Sequence, residues 1–204
     1  MATRQKGGNT GKGTPKFEFK MIAKRTFHEN GKMQLQLKLV MINGLMNIGI
    51  SRLDWDEEKN DYKWTPRTVY MRVPIWVKFI NQALKINRPF LEKLSEPPSE
   101  TSDFDDNGCD KPDFKQAHCV TFHQDVNHQY QLKVVFLKEK KYISIMRNNW
   151  SKDKQRYNWT KKNIFMEASV WSTFIFSDMI LFDGTVQEHA NPGISTSCLI
   201  YLIA

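Results

Sequence analysis

One stretch of this sequence alternates basic and aromatic side chains. Within the sixteen residues from Arg147 to Lys162 lie Trp150, Lys152, Lys154, Arg156, Tyr157, Trp159 and Lys161. Aromatic rings stack on unpaired bases, at about 1–3 kcal/mol per base, while Lys and Arg contact the phosphate backbone. Residues of these two types at this density indicate a surface that binds single-stranded nucleic acid through stacking and charge.

The same pattern occurs a second time, 95 residues earlier and without a gap. Its aligned pairs include Thr26 and Thr121, Leu37 and Leu132, Ile48 and Ile143, Ile50 and Ile145, Arg52 and Arg147, Trp55 and Trp150, Tyr62 and Tyr157, Trp64 and Trp159, Met71 and Met166, and Trp76 and Trp171. Chance does not align three tryptophan pairs in this way. The sequence therefore predicts an internal duplication of a unit of about 55 residues.

Each copy begins with strands. Apolar residues alternate from Leu35 to Met41, and again from Tyr130 to Phe136, as in half-buried strands. In the next strand of each copy, two isoleucines and then the arginine follow at period two, so the guanidinium should emerge where the apolar face ends. Residues 43–46 and 138–141 are predicted hairpin tips, and residues 56–61 and 151–156 are predicted polar loops.

A helix should end each copy. In the first, Pro74 suits an opening turn, and apolar residues follow at intervals of three and four from Trp76. In the second, Ser169 is a candidate N-cap, and the residues from Trp171 onward are apolar nearly all round. Such a helix is expected to be buried on two sides, against its own sheet and against the other copy's helix.

Composition divides the chain further. The segment from Ser95 to Asp113 is rich in Pro, Ser and acidic residues, which is typical of a flexible linker. The predicted division is a flexible basic arm (1–20), a first repeat of four strands and a helix (21–94), an acidic linker (95–114), a second such repeat (115–184), and a C-terminal tail or extra strand (185–204).

The charge of the chain favours a polyanionic partner. The net charge is +8, with an isoelectric point near 9.3. Ten Lys and Arg face four Asp and Glu between residues 120 and 175, against nine and six between residues 25 and 80. No apolar stretch reaches the roughly 18 residues of a membrane span, and no signal peptide is visible. We therefore expect an intracellular protein, in the nucleus of a eukaryote or in the cytoplasm of a bacterial or phage-infected cell.

No catalytic or cofactor site is visible in the sequence. His118, Cys119, His123 and His128 lie close together in the sequence, with Cys109 before them, but their spacing matches no common zinc site. His123 also aligns with His28, near which there is no cysteine, so a repeated packing role fits better than a metal. Gly-rich phosphate loops and nucleophile motifs are not found. The expectation is a protein that is not an enzyme and holds no cofactor or metal.

The repeated residues resemble a known family. Ile143, Ile145, Arg147 and Trp150, a polar loop, a basic pair, Ile164, Met166 and Trp171 follow each other at the intervals of the positive cofactor four (p15) transcriptional coactivators. The first copy is similar at Ile48, Ile50, Arg52, Trp55, Arg67, Val69, Met71 and Trp76. The likeness covers most of both repeats.

The resemblance implies a fold and a function. The fold would be α+β, with two tandem β-β-β-β-α repeats whose curved antiparallel sheets form an intramolecular pseudo-dimer packed through the helices. The function would be largely sequence-independent binding of single-stranded DNA in transcription, replication or recombination. Replication or transcription proteins would be further partners, without a membrane, and pseudo-dimers could assemble further.

The same resemblance implies the binding residues. They are Arg52, Trp55, Arg67, Lys141, Arg147, Trp150, Lys161 and Lys162, and loop and hairpin lysines complete the predicted surface at Lys59, Lys138, Lys140 and Lys154. The family's glycine after the basic pair is Thr68 or Asn163 here, and Pro66 replaces a basic residue. The second half is therefore predicted to bind more strongly than the first.

Two alternatives stay open at this point. One is an RNA-binding module of the related Whirly or kinetoplastid type, which would use similar sheets. The other is a structural or docking subunit of a polymerase or viral complex, in which the tandem scaffold would serve as a platform for proteins.

Overall fold

The structure, a computed structural model, describes residues 17–87, 114–137 and 140–179, together with residues 182, 185, 186 and 189. The fold is mostly β, with two antiparallel sheets and a few helices. The linker prediction for residues 95–113 and most of the predicted tail lie outside the described residues, as does the predicted arm before residue 17.

The first sheet has four strands in sequence order. They are β1 (Phe19–Asn30), β2 (Met33–Ile42), β3 (Leu45–Asp56) and β4 (Asp61–Arg72), and helix α1 (Val73–Asn87) follows directly. Asn43 and Gly44 both have positive φ between β2 and β3, which is the two-residue hairpin turn that Asn-Gly favours. The hairpin tip predicted at this position is therefore confirmed.

The second sheet has five strands. They are β5 (Phe114–Gln124), β6 (His128–Leu137), β7 (Lys140–Ser151), β8 (Arg156–Asn158) and β9 (Asn163–Glu167). The last strand of the predicted repeat is divided here, because β8 and β9 both pair with β7 but residues 159–162 do not. In the first sheet β4 stays continuous, with a register shift opposite Arg52.

Two local predictions differ from the structure. Lys140 and Lys141 lie in β7 rather than in a hairpin tip, since β7 begins at Lys140, opposite Leu137. Ser169 is not an N-cap, because helix α2 (Ala168–Thr173) begins one residue earlier. Its N-cap is Glu167, which ends β9 with extended backbone, so the strand runs directly into the helix. A π-helical segment, Phe174–Met179, continues α2.

The core lies between the two sheets and contains the helices. Both sheets contribute alternate strand residues that are fully buried, as the alternation predicts: Leu35, Leu37, Leu39, Ile48, Ile50, Leu132, Val134, Ile143 and Ile145. Phe79 of α1 connects the halves, with its ring centroid 5.6 Å from that of Phe122 and 6.3 Å from that of Trp171. The apolar faces of the two sheets are therefore parts of one cluster.

The same local hydrogen bonds recur in the two sheets. Asn30 Oδ1 accepts the backbone N–H of Met33, and Asp125 Oδ1 accepts that of His128, 95 residues later. The hydroxyl of Thr65 donates to the Arg52 carbonyl oxygen at 2.7 Å, and Thr160 makes the same bond to Arg147. Polar side chains thus stabilise equivalent turns and irregularities in both sheets.

Candidate nucleic-acid interface

Arg147 lies at the end of the apolar face of β7, opposite Tyr130 of β6. Its guanidinium carbon is 5.9 Å from the centre of the Tyr130 ring, and its Nη2 donates to Nε2 of His128 at 2.6 Å. Its Nε is buried and has no hydrogen-bond partner among the described residues. The position predicted from the period-two alternation is confirmed, and this cation has no carboxylate partner in the described chain.

His128 is neutral in this arrangement. A guanidinium only donates hydrogen bonds, so Nε2 of His128 must accept and the ring proton sits on Nδ1, 3.5 Å from Asp125 Oδ1. Burial lowers the pKa of His128, and the nearby Arg147 charge lowers it further, against the opposing effect of Asp125. The imidazole therefore orients the guanidinium without adding a charge at neutral pH.

Asp125 provides the carboxylate next to His128, and this carboxylate accepts hydrogen bonds within the β5–β6 turn. Burial would raise its pKa, but the backbone N–H groups of Asn127 and His128 outweigh burial and hold the pKa below its usual value. Both N–H groups donate to Oδ1 at 2.8 Å. The carboxylate is thus held by the β5–β6 turn rather than by Arg147.

Thr160 brings Lys162 next to Arg147. Its hydroxyl donates to the Arg147 carbonyl oxygen and accepts the Lys162 backbone N–H at 3.1 Å. The backbone N–H of Arg147 in turn donates to the Lys162 carbonyl oxygen at 3.0 Å. Burial lowers the pKa of Lys162, and the repulsion from Arg147 lowers it further, as expected for two cations held close together.

His128, Tyr130, Arg147 and Lys162 lie in one wall of a cleft with a volume of about 1280 Å³. The other wall is the face of the first sheet that points away from the core, including Phe19, Trp64 and Tyr70. The Tyr130 hydroxyl joins the two walls by donating to the Tyr70 carbonyl oxygen at 3.1 Å. Phe17 is 68% exposed and Trp64 is 59% exposed, so their rings are open to a ligand.

The cleft combines flat apolar surfaces with positive charge. Its cations are Lys38, Arg72, Arg147 and Lys162, and its aromatic residues are Phe17, Phe19, Trp64, Tyr70, His123, His128 and Tyr130. Stacking platforms beside cations are the chemical requirement for holding unpaired nucleotides. The described cleft residues therefore supply both kinds of contact that an unpaired strand needs.

The structure places only two of the predicted site residues in this cleft, Arg147 and Lys162. Trp55 and Trp150 lie on the faces of β3 and β7 opposite to Arg52 and Arg147, half-buried. Each packs edge-to-face on a tyrosine of the next strand, with ring centroids 5.0 Å apart. These two tryptophans are available at the outer faces of the sheets but do not line the cleft.

The other predicted residues are spread over the surface. Lys59 and Lys154 lie in exposed turns, Arg67 is exposed in the middle of β4, and Lys161 is exposed between β8 and β9. In β7, Lys140 pairs with Glu167 at 3.8 Å, and the Lys141 ammonium lies 5.9 Å from the centre of the Phe136 ring. Lys138 lies outside the described residues.

Arg52 differs from its counterpart Arg147. Its Nε donates to Asp54 Oδ1 at 2.6 Å in an ion pair. The residue equivalent to Asp54 in the second copy is Asn149, which carries no charge. The first-sheet arginine is therefore neutralised locally, whereas Arg147 has no carboxylate partner in the described part of the chain.

Several cleft residues were not predicted from the sequence. Phe17 and Phe19 lie in the stretch interpreted as an arm, although β1 already begins at Phe19. Lys38 alternates with buried leucines in β2, and the sequence analysis assigned it no role. Trp64 had a signal, because it belongs to the repeated Tyr-x-Trp-Thr segment, but it is equally compatible with a core edge.

Two further observations concern the described residues only. No group of three His, Cys, Asp or Glu side chains within them is arranged to hold a metal ion. None of their helices is long and apolar enough to cross a membrane.

Comparisons with known proteins add little. No protein-family model matches the chain, and no curated protein matches it. Among solved structures, that of WHY3 from Arabidopsis thaliana aligns over 89% of this chain and 100% of its own, with 11% sequence identity and a TM-score of 0.29. A score at this level does not establish a common fold, so the function proposed for this chain depends on the cleft itself.

Proposed function

We propose that this protein binds single-stranded DNA, largely independently of sequence, along the cleft between its two sheets. The observation that carries this proposal is the Arg147 guanidinium. It is half-buried, oriented by a neutral histidine, and paired with no carboxylate among the described residues, while it faces exposed rings across the cleft. An arginine in such a site can bind an external anion such as a phosphate, and the exposed rings can stack on the adjacent base.

We also propose that the two sheets are copies of one unit and form an intramolecular pseudo-dimer related to the positive cofactor four coactivators. Equivalent hydrogen bonds at positions 95 residues apart support this interpretation. Besides the paired threonines, the backbone N–H of Trp55 donates to the Lys32 carbonyl oxygen at 2.8 Å, and Trp150 does the same to Asn127 at 2.8 Å. Asn60 and Gln155 share a positive φ in equivalent turns.

The biological role follows from binding alone. A protein that holds unpaired strands would act in transcription, replication or recombination, inside the cell and without chemistry of its own. Partner proteins from the same processes would meet the surfaces outside the cleft.

The first experiment compares oligonucleotides by fluorescence anisotropy at two salt concentrations. We expect single-stranded DNA to bind more tightly than duplex, and the affinity to fall steeply with salt. The double variant Arg147→Ala/Lys162→Ala should weaken binding at least about tenfold. Its salt slope should be shallower by about 1.4, because each lost phosphate contact on a single strand contributes about 0.7.

The matched control is Arg52→Ala/Arg67→Ala, which removes the equivalent residues of the first sheet, away from the cleft. It should keep most of the affinity, since Arg52 is already paired with Asp54. Equal loss in both double variants would contradict the cleft as the site. Weak, salt-insensitive binding by the wild type would favour a docking subunit instead, and tighter binding of a matched RNA would assign RNA as the ligand.

A further inference from the structure

A nearly buried lysine lines the cleft. Lys38 lies in the middle of β2 on the face that points away from the core, and its side chain is only 8% exposed. No carboxylate or hydrogen-bond acceptor among the described residues contacts its ammonium, and Lys24, which lies opposite it in β1, repels it. The ammonium at the end of this side chain thus has no acceptor among the described residues, and a ligand in the cleft can supply one.

Tyr70 lies near Lys38 on the outer face of the first sheet. In the strand register Lys38 lies opposite Gly49, and Gly49 lies opposite Tyr70. A Cβ atom at position 49 would lie 2.6 Å from Cε1 of Tyr70, so the ring occupies the space that a side chain would need. The absence of a side chain at Gly49 thus allows an aromatic ring to lie over the sheet next to the ammonium.

The surroundings of Lys38 suit a base better than a phosphate. Several other lining residues on the same face of the first sheet are apolar or aromatic, namely Phe19, Met21, Ile42 and Tyr70. A phosphodiester is strongly hydrated and would lose that hydration against such walls. The more open cations Arg72 and Lys162 are better placed for the backbone, since both are exposed and line the same cleft.

We propose that the cleft accepts one unstacked base, with its edge toward Lys38 and its backbone phosphates toward Arg72, Arg147 and Lys162. An ammonium donates hydrogen bonds and accepts none, so it favours a carbonyl oxygen on the base edge. Thymine O4 and guanine O6 are such acceptors, whereas cytosine and adenine carry amino groups at those positions. The site should therefore prefer bases with a keto group. This preference adds to an affinity that is otherwise independent of sequence. This inference rests on the proposed function and refines it.

The test compares the affinities for oligo-dT and oligo-dC of equal length at pH 8. The two pyrimidines have the same size, but thymine carries the O4 oxygen where cytosine carries an amino group. The wild type should bind dT about five- to tenfold more tightly than dC. Lys38→Met, which keeps the apolar stem without the ammonium, should abolish this preference by lowering the affinity for dT. Circular dichroism and thermal unfolding would establish that the variant is folded.

The matched control is Lys133→Met, at the equivalent position of β6 in the second sheet. Lys133 does not line the cleft, so this variant should keep the dT preference. Lys38→Arg provides a second check, since it retains a donor and should retain a preference for dT even if the methionine variant folds poorly.

The outcomes separate this inference from the proposed function. Equal wild-type affinity for dT and dC, or an equal loss of both in Lys38→Met, would overturn base-edge recognition by Lys38 while leaving single-strand binding intact. If the wild type instead bound no single strand in preference to duplex, the proposed function itself would fail.

Discussion

Arg52 and Arg147 occupy equivalent places in the two sheets but have different partners. Alternation along the strands predicted that both would emerge at the end of an apolar face, and both do. The difference between them depends on one neighbouring position, which is Asp54 in the first sheet and Asn149 in the second. The spacing and the change from Asp54 to Asn149 could be read from the sequence, whereas the side-chain conformation that brings Arg52 Nε to Asp54 Oδ1 could not.

Trp64 offers the sharpest test at the scale of one residue. Trp64→Ala should weaken single-stranded DNA binding by about 1–3 kcal/mol, the contribution of one stacked base. Because the ring is 59% exposed, unfolding by urea should change little. Anisotropy titrations with oligo-dT would measure the loss of DNA affinity. Urea unfolding followed by circular dichroism, which does not depend on tryptophan fluorescence, would measure the change in stability.

Trp159→Ala is the matched control for this substitution. Trp159 is the equivalent residue of the second sheet and is 61% exposed, but it does not line the cleft. Its removal should leave the affinity nearly unchanged. A loss equal to that of Trp64→Ala would move the interface from the cleft to the outer faces of both sheets.

At the scale of elements, hairpins were easier to predict than irregular strands. Asn43 and Gly44 form a turn from local preferences alone, and the tip was visible in the sequence. The division of the last strand into β8 and β9 was not visible. Thr65 makes the same hydroxyl bond in the first sheet without dividing β4, so this bond alone does not explain the division.

The first repeat was predicted to begin at residue 21, two residues after the start of β1. Its first residues resemble the basic, Gly-rich segment before them, and no alternation is evident until Thr26. Phe19 joins the sheet because it pairs with Ile42, a partner far along the chain. Long-range pairing of this kind overrides the local composition.

The Thr160 bond gives a prediction at this scale. Thr160→Val keeps the shape of the side chain but removes the donor to the Arg147 carbonyl and the acceptor for the Lys162 N–H. We expect a loss of about 1–3 kcal/mol in the free energy of unfolding, because a carbonyl and an N–H lose their partner. Urea denaturation measures this loss, and Thr160→Ser should largely prevent it.

The equivalent substitution Thr65→Val distinguishes positioning from stability. It breaks the same bond in the first sheet, to the Arg52 carbonyl, at a similar cost in unfolding free energy. Only Thr160→Val should also weaken DNA binding, since it alone disturbs Arg147 and Lys162. Equal binding losses in the two variants would argue that Thr160 has no special role in holding these cations.

At the scale of the whole molecule, the most informative prediction was that the helix of the second copy is buried on two sides. Trp171, Phe174, Ile175 and Met179 are all fully buried, as the apolar circumference of their segment predicted. The cleft, in contrast, could not be derived from either repeat alone. It is built from the outer face of one sheet and the end of the other, so it depends on how the halves pack.

Phe79 should make the two halves unfold together. Its ring contacts Phe122, Trp171 and Phe174 across the shared core. Phe79→Ala should cost about 3–5 kcal/mol in unfolding free energy, as for other fully buried phenylalanines. Urea transitions followed by tryptophan fluorescence and by circular dichroism should stay coincident in the wild type.

Val77→Ala on the same helix is the control. Val77 is 41% exposed, so its truncation should change the unfolding free energy by less than about 1 kcal/mol. Two separate transitions in the wild type would contradict a single cooperative core.

The unequal partners of Arg52 and Arg147 have a consequence for strand polarity. A pair of identical surfaces related by two-fold symmetry offers an incoming strand no reason to run one way rather than the other. Here Arg147 is open and lines the cleft, whereas Arg52 is paired with Asp54 and lies away from it, so only one of the two equivalent arginines can contact a bound strand. A chain that carries both halves can thus impose a 5′-to-3′ direction on its ligand, which a dimer of identical subunits cannot.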